Sequence, residues 1–377
     1  MIAYRLITAL LAPLVVLGLL LRGHGLPSVV QRLGFVPVQR APVLWFHAAS
    51  VGEFRALLPL ISRSWEQSVA LTVQSKQALI TAREHLPASI PVLSAPLDAP
   101  GWFGRFLKRI RPQALVLVES ELWPGWMHSL HAANVPVILL DGVLSETSAR
   151  RWGRWPALVR PVAQAVHAVT VSSQARQSVF QALGFSPIEL ALPLKLAGQV
   201  LAVEADLVAR WQAWLDGAAL VTLANVHRSE VPALKALLDT IEPDTKVIIA
   251  PRHPAHLAAI RAGLGPASAR LAYWPGFGTL GSLYALGGKV VMGGGFDAAI
   301  GSHNPLEALR AGCAVVCGPH AGKQRELIAF LEHRKMIART PHWPVDQDHA
   351  DALRTLSEQA TEQAVQAVES VLRRSLN

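Results

Sequence analysis

Cysteine is almost absent: 377 residues hold two, Cys313 and Cys317. Two thiols cannot build a disulfide framework. They flank Ala314-Val315-Val316 in an apolar, strand-like run, so a buried thiol pair in a reducing compartment is expected rather than a metal site. Charge is sparse, at 16% Asp, Glu, Lys and Arg, which excludes long disordered tails. No zinc-finger spacing and no stacked-aromatic RNA-binding pattern occurs, so no nucleic-acid partner is expected. Short internal repeats and low-complexity tracts are also missing. Acidic residues are the scarcer sign, 26 against 35 basic, which leaves a formal charge of +9 and a pI near 10.1. That surplus points to an anionic surface or an acidic substrate.

What the chain has in quantity is apolar residues, 51% of the total. The length suits two domains, each with its own core. Residues Leu6 to Leu21 form an almost wholly apolar run between Arg5 and Arg22. It is slightly short of the roughly 20 residues a spanning helix needs, but flanking arginines can extend it. Pro13 predicts a kink. No small-x-small cleavage site follows, so residues 1–25 read as a retained membrane anchor rather than a signal peptide. Arg32 and Arg40 then place the downstream side in the cytoplasm.

Beyond the anchor, continuous apolar runs alternate with amphipathic stretches. Strands are predicted at Val43–Phe46, Val69–Val73, Ala114–Val118, Val135–Leu140 and Val166–Val171, with a helix from Val51 to Trp65. The pattern restarts at Leu220–Leu223, Lys246–Ala250, Val290–Met292 and Ala314–Cys317. Such strands belong to parallel sheets covered on both faces. Residues 186–205, with Pro187 and Pro193, read as a linker, and Ala350 to Leu376 as a helix packing back. The fold expected is α/β of the GT-B glycosyltransferase type: two Rossmann-like, doubly wound domains facing a cleft. The divisions are an anchor at 1–25, an N-terminal domain at 26–190 and a C-terminal domain at 191–377. Ligands should sit at the carboxyl ends of the strands.

Three groups of residues fall at those ends. His47-Ala48-Ala49-Ser50-Val51-Gly52-Glu53 follows the first strand. Gly52 allows close approach and Glu53 faces the cleft, although Ser50-x-x-Glu53 equally spells a capping box. Glu119-Ser120-Glu121-Leu122-Trp123-Pro124 follows the third strand. Its paired carboxylates suit acid–base work, since close like charges raise one pKa. In the second half, Gly293-Gly294-Gly295 precedes Gly301-Ser302-His303-Asn304-Pro305-Leu306-Glu307. Here Asn304 reads as a helix N-cap, Pro305 as the first helical residue, and the glycines as room for a ligand. The free N–H groups of that turn suit an anion, and Glu307 a ribose, although Asn-x-x-Glu is also close to a capping box. Arg252, in Pro251-Arg252-His253-Pro254, can clamp a phosphate.

Taken in order, these motifs resemble the Kdo transferases, which move 3-deoxy-D-manno-octulosonic acid (Kdo) from CMP-Kdo onto lipid A precursors. Ala-Ser-Val-Gly-Glu ending at Glu53, Glu119 to Pro124, Leu144-Ser145-Glu146, Pro251 to Pro254 and His303 to Glu307 carry the resemblance, which covers most of the chain. It implies an inverting transferase at the inner membrane, with CMP-Kdo as donor and a lipid A precursor as acceptor. Glu53 would be the general base, with Glu119 and Glu121 beside it in the catalytic group. Ser50 and Gly52 would meet the acceptor. Lys195, His227, Arg252, His253, Gly294, Gly295, Asn304 and Glu307 would bind the donor. CMP leaves with one phosphate and no diphosphate needs bridging, so neither a metal nor another cofactor is expected.

Three departures stand out. Asp141-Gly142-Val143 replaces Asn-Ala-Arg and loses an arginine. Leu71 to Gln77 replaces a threonine-rich stretch. Leu280-Gly281-Ser282-Leu283 replaces Met-Gly-Glu-Leu and loses a carboxylate. Two of the three fall in the acceptor domain. They favour an alternative, a non-catalytic or divergent paralogue binding lipid or sugar nucleotide. A further alternative is a transferase using a UDP-sugar.

Overall fold

The computed structural model describes residues 2–276, 278–340, 342 and 349–376. Seven strands form the first sheet: β1 Val43–Ala48, β2 Ser68–Val73, β3 Val92–Ser94, β4 Pro112–Val118, β5 Val137–Leu140, β6 Val166–Val171 and β7 Ile188–Leu190. Their order is β3-β2-β1-β4-β5-β6-β7, and every pairing is parallel. Six strands form the second: β8 Leu220–Val226, β9 Lys246–Pro251, β10 Leu271–Tyr273, β11 Lys289–Met292, β12 Ala314–Cys317 and β13 Ile337–Arg339. Their order is β10-β9-β8-β11-β12-β13, again all parallel. Both orders reverse direction beside their first strand, as in dinucleotide-binding sheets. The central strands β1 and β8 are buried along their whole length, which is why they read as unbroken apolar runs.

One compact unit is Met1–Gln199 with Leu356–Asn377, and the other is Val200–Thr355. The first unit packs an aromatic layer against β1. Trp45 lies 4.9 Å from Phe106 and 5.3 Å from Trp126 between ring centroids. Phe103 stacks on Trp126 at 5.2 Å. Each such pair adds about 0.5–1.5 kcal/mol beyond its buried area.

Several expected boundaries move. The helix opened at Val51 ends at Ile61 rather than Trp65. The Leu60 carbonyl accepts the Arg63 N–H and the Trp65 indole instead of continuing the helical ladder. The expected linker at 186–205 holds β7 and a 3₁₀ turn, Leu194–Ala197, with Leu194 and Leu196 buried. β7 belongs to the first sheet and the turn to the same unit, so the chain leaves that unit after Gln199 rather than after Leu190. The C-terminal helix Ala350–Leu376 packs onto the first unit from Leu356 onward. There Arg63 lies 3.4 Å from Glu362 and 3.7 Å from Glu369, and Gln363 accepts the Leu192 N–H.

The N-terminal helix Ile2–Leu21 runs unbroken through Pro13. Its stretch Tyr4–Leu21 is long and apolar enough to cross a membrane. Yet one stripe of it faces the first unit. Ala12 is buried, and the Tyr4 hydroxyl donates to Asp98 at 2.5 Å. Leu6, Leu10, Leu14, Leu17 and Leu21 are exposed on the remaining surface.

Candidate active site

In the first unit the candidate carboxylates gather where the strand order reverses, between β1 and β4. β1 ends at Ala48, and Ser50 caps the helix Val51–Ile61 by accepting the Glu53 N–H at 3.2 Å. Glu53 reaches back: Oε2 accepts the Ala49 N–H at 2.7 Å and Oε1 accepts the Ser50 hydroxyl at 3.0 Å. The carboxyl is thus part of a helix cap. Burial nevertheless pushes its pKa up to about 7, and the charges of Glu119 and Glu121 add to that against the two hydrogen bonds. Gly52 is exposed, and a Cβ there would meet only the Ser50 hydroxyl at 3.8 Å.

β4 delivers the other two. Glu119 takes a left-handed backbone, φ 60°, and pairs with Lys195 at 3.0 Å. Burial alone would raise Glu121. The His47 imidazole beside it and the Trp123 indole N–H, at 2.9 Å, outweigh that and hold it below the usual carboxylate range. His47 is itself buried, with Nδ1 2.8 Å from the Thr72 hydroxyl and Nε2 3.6 Å from Glu121. The Trp45 indole, which can only donate, occupies the same Thr72 oxygen at 2.8 Å. The arrangement that serves all four groups has Thr72 donate to Nδ1 and leaves an Nε2–H facing Glu121.

Next to these, Asp141 fills the place of the missing arginine motif. It is buried, pairs with Arg176 at 2.8 Å and accepts the Leu194 N–H at 3.0 Å. Burial raises its pKa while Arg176 opposes that. A Cβ on Gly142 would come within 2.9 Å of the Phe180 ring. The departure at residues 141–143 is therefore built into the packing that holds the 3₁₀ turn of Lys195.

In the second unit the corresponding reversal lies between β8 and β11. His227 follows β8, and its Nε2 lies 2.7 Å from His303 Nε2. One imidazole must donate and the other accept, so that contact holds a single proton. His253 and His256 lie 5.9 Å and 6.4 Å from His227 between ring centroids. Burial, then electrostatic repulsion from Arg252, His227 and His253, pushes His303 down to about 4. His227 is lowered by burial, then by His253, His256 and Arg252. Arg252 is exposed and forms no ion pair among the described residues. Arg252 supplies fixed positive charge here, and neutral imidazole N–H groups beside it can donate to an anion.

The loops around it are zipped together by glycine. A Cβ on Gly294 would fall 2.3 Å from the Gly301 carbonyl, and one on Gly295 would fall 2.8 Å from the Gly318 N. His303 N–H donates to Gly293 and His320 N–H to Gly295. These glycines are explained by backbone lying on backbone rather than by room left for a ligand. The helix expected from Pro305 begins one residue later, at Leu306–Arg310, because the Asn304 side chain accepts the Leu306 N–H at 3.1 Å across an Asx turn. Glu307 sits in its first turn, and its charge bears on Arg310 and Tyr284. Ser282, at the site of the lost carboxylate, is fully buried and accepts the Glu204 N–H at 2.8 Å.

Ser50, Glu53, Glu119 and Glu121 thus come together in the first unit. Lys195, expected with the donor group, joins them there. His227, Arg252, His253, Gly294, Gly295, Asn304 and Glu307 lie in the second unit. Sequence reasoning gave no role to His47, His256 or the Asp141–Arg176 pair, because Glu121 for His47, His227 for His256 and Arg176 for Asp141 are brought in from distant parts of the chain. Both cysteines are buried thiols, and no group of metal-ligating side chains forms among the described residues. The triplet Asp346-Gln347-Asp348, an Asp-x-Asp spacing found in metal-dependent transferases, lies outside those residues.

Two doubly wound parallel sheets, each with its polar cluster at the point of strand reversal, define the GT-B fold. A UDP-GlcNAc 2-epimerase from Neisseria meningitidis shares this fold over 87% of this chain and 100% of its own, at 9% identity and a TM-score of 0.57. The Anabaena protein HepE, solved with UDP, does so over 89% and 95%, at 14% identity and 0.53. Sequence narrows the likeness further. Residues 28–197 match the family model of 3-deoxy-D-manno-octulosonic-acid transferase (kdotransferase). The probable mitochondrial 3-deoxy-D-manno-octulosonic acid transferase of Arabidopsis thaliana is 28% identical over 82% of this chain and 76% of its own. The Chlamydia pneumoniae transferase of that name is 26% identical over 77% and 72%, and that of Haemophilus influenzae 24% over 80% and 77%. Residues 28–197 are thus similar to the Kdo transferases, and the resemblance read from the chain's motifs is borne out.

Proposed function

We propose that the protein moves Kdo from CMP-Kdo to a lipid A precursor with inversion at the anomeric carbon, on the cytoplasmic face of the inner membrane. The observation that carries this reading is Glu53, a carboxyl poised near neutral pH beside Glu119 and Glu121 in the matched family domain. An acceptor hydroxyl gives its proton to Glu53, its oxygen attacks the anomeric carbon, and CMP leaves with the bonding pair. Lys195 offsets the charge of Glu119, while Glu121, kept ionised beside His47, keeps the field on Glu53 negative. Arg252 offers positive charge to the leaving phosphate, and the imidazoles around it offer N–H donors. Glu307 is assigned to the ribose. The apolar N-terminal helix and the basic surface hold the enzyme against an anionic lipid acceptor.

Incubation of purified full-length protein with CMP-Kdo and a lipid A precursor, followed by mass spectrometry of the lipid, tests the reading. A mass gain of one or more Kdo residues is expected. The buried Asp141, in place of the family's arginine motif, favours a second reading in which the protein binds sugar nucleotide or lipid without transfer. CMP binding with no product across several acceptors would select that reading. Equal binding of UDP would select a UDP-sugar transferase.

A further inference from the structure

A cavity of about 230 Å³ lies in the first unit just beyond the end of the apolar helix. His24, Arg32, Lys76 and Arg83 contribute its charge, and no carboxylate lines it. Arg32 is its deepest element at 2% exposure. Its guanidinium donates to the Gln74 side chain and to the Gln74 and Ala95 carbonyls, all neutral, while Nε has no partner. A buried guanidinium without a counter-charge is costly, and an anion beside it removes that cost. Burial, then Arg32, Lys76 and Arg22, hold the His24 imidazole below its usual range, so positive charge converges there. Ser75 and Lys76 open the ten-residue helix Lys76–His85, which adds the positive end of its dipole. The charge shares its surroundings with exposed apolar side chains: Leu21, Leu26, Val30 and Ile80.

Cationic walls fit a phosphate ester, and the apolar surroundings fit acyl chains. A phosphate could come from solution or from a lipid, and the apolar helix selects the lipid. We infer that this cavity seats the headgroup phosphate of an anionic membrane phospholipid, at the level where the helix meets the bilayer surface. None of this depends on sugar-transfer chemistry, and the cavity residues lie outside the Glu53 group.

Native mass spectrometry of the full-length protein in a neutral detergent provides the test, with phosphatidylglycerol and phosphatidylcholine of identical chains as probes. One phosphatidylglycerol per chain should be retained at least about tenfold better than phosphatidylcholine. The exposed pair Lys76→Glu/Arg83→Glu should cut that preference to about threefold or less while the thermal midpoint stays near wild type. The charge-neutral pair Lys76→Gln/Arg83→Gln guards against misfolding and should weaken it in the same direction. Equal retention of the two lipids, or a preference untouched by both variants, would overturn the assignment. So would inorganic phosphate binding as tightly as the lipid, which would make the cavity a site for a soluble anion.

Discussion

Glu53 does two things with one carboxyl: it closes a helix cap and it stays protonated to near neutrality. A general base acts ionised, so the transfer rate should climb as pH rises through about 7 and level off above it. Glu53→Gln should abolish that limb and lower turnover by about 10²–10⁴-fold, with CMP affinity by calorimetry unchanged. Near-normal turnover would move the base to Glu119 or Glu121. Stability runs the other way. A carboxyl whose folded pKa exceeds its ordinary 4.5 contributes fully below that pH and loses the contribution as pH rises through about 7. Wild type should therefore lose thermal midpoint relative to Glu53→Gln between about pH 5 and 8. On the donor side, Arg252→Ala and Glu307→Ala should each weaken CMP binding by about 1.5–3 kcal/mol, and calorimetry that shows no change would remove them from the site. Glu53 was legible because Ser-x-x-Glu is a local pattern. His47 against Glu121 and His227 against His303 were not, because each pair meets at the ends of neighbouring strands or in the segments that follow them, far apart in sequence.

The elements divide the glycines into two kinds. Gly301 and Gly318 lie backbone against backbone, with an added Cβ meeting Gly322 and Gly295 atoms at 2.4 Å. Alanine at either should unzip the loops that hold His303 and cost about 1–3 kcal/mol of stability, read as a fall in thermal midpoint together with CMP affinity. Gly52 has open space instead. Gly52→Ala should fold at least as well, since alanine is the better helix former by up to about 1 kcal/mol. A rise in KM for acceptor would then mark close approach of that substrate, and unchanged kinetics would take Gly52 out of the acceptor site. Nine of the strands were readable as apolar runs, and the four that were not, β3, β7, β10 and β13, share a cause. Each is three residues long and sits at a sheet edge, too short for a period and only half enclosed. The same shortness hid β7 inside a stretch that reads as linker.

For the molecule as a whole, the restart of the strand pattern announced two units, but their boundary depended on contacts no local pattern carries. The 3₁₀ turn at Leu194 is claimed for the first unit by a hydrogen bond to Asp141, and the C-terminal helix by Arg63 and Gln363. The membrane reading predicts that full-length protein sediments with membranes and resists salt extraction, and that removal of residues 1–25 releases it. Recovery of a mature periplasmic form lacking this segment would instead show a cleaved leader. Only Arg22 to Gly25 separate the apolar helix from the next one, a reach on the order of 14 Å even fully extended. Tyr4 also latches the far end of the helix to Asp98. An enzyme moored in this way has no tether on which to swing. On a bilayer it would search in two dimensions at one fixed height, and its encounters would be set by lateral diffusion rather than by concentration in the bulk.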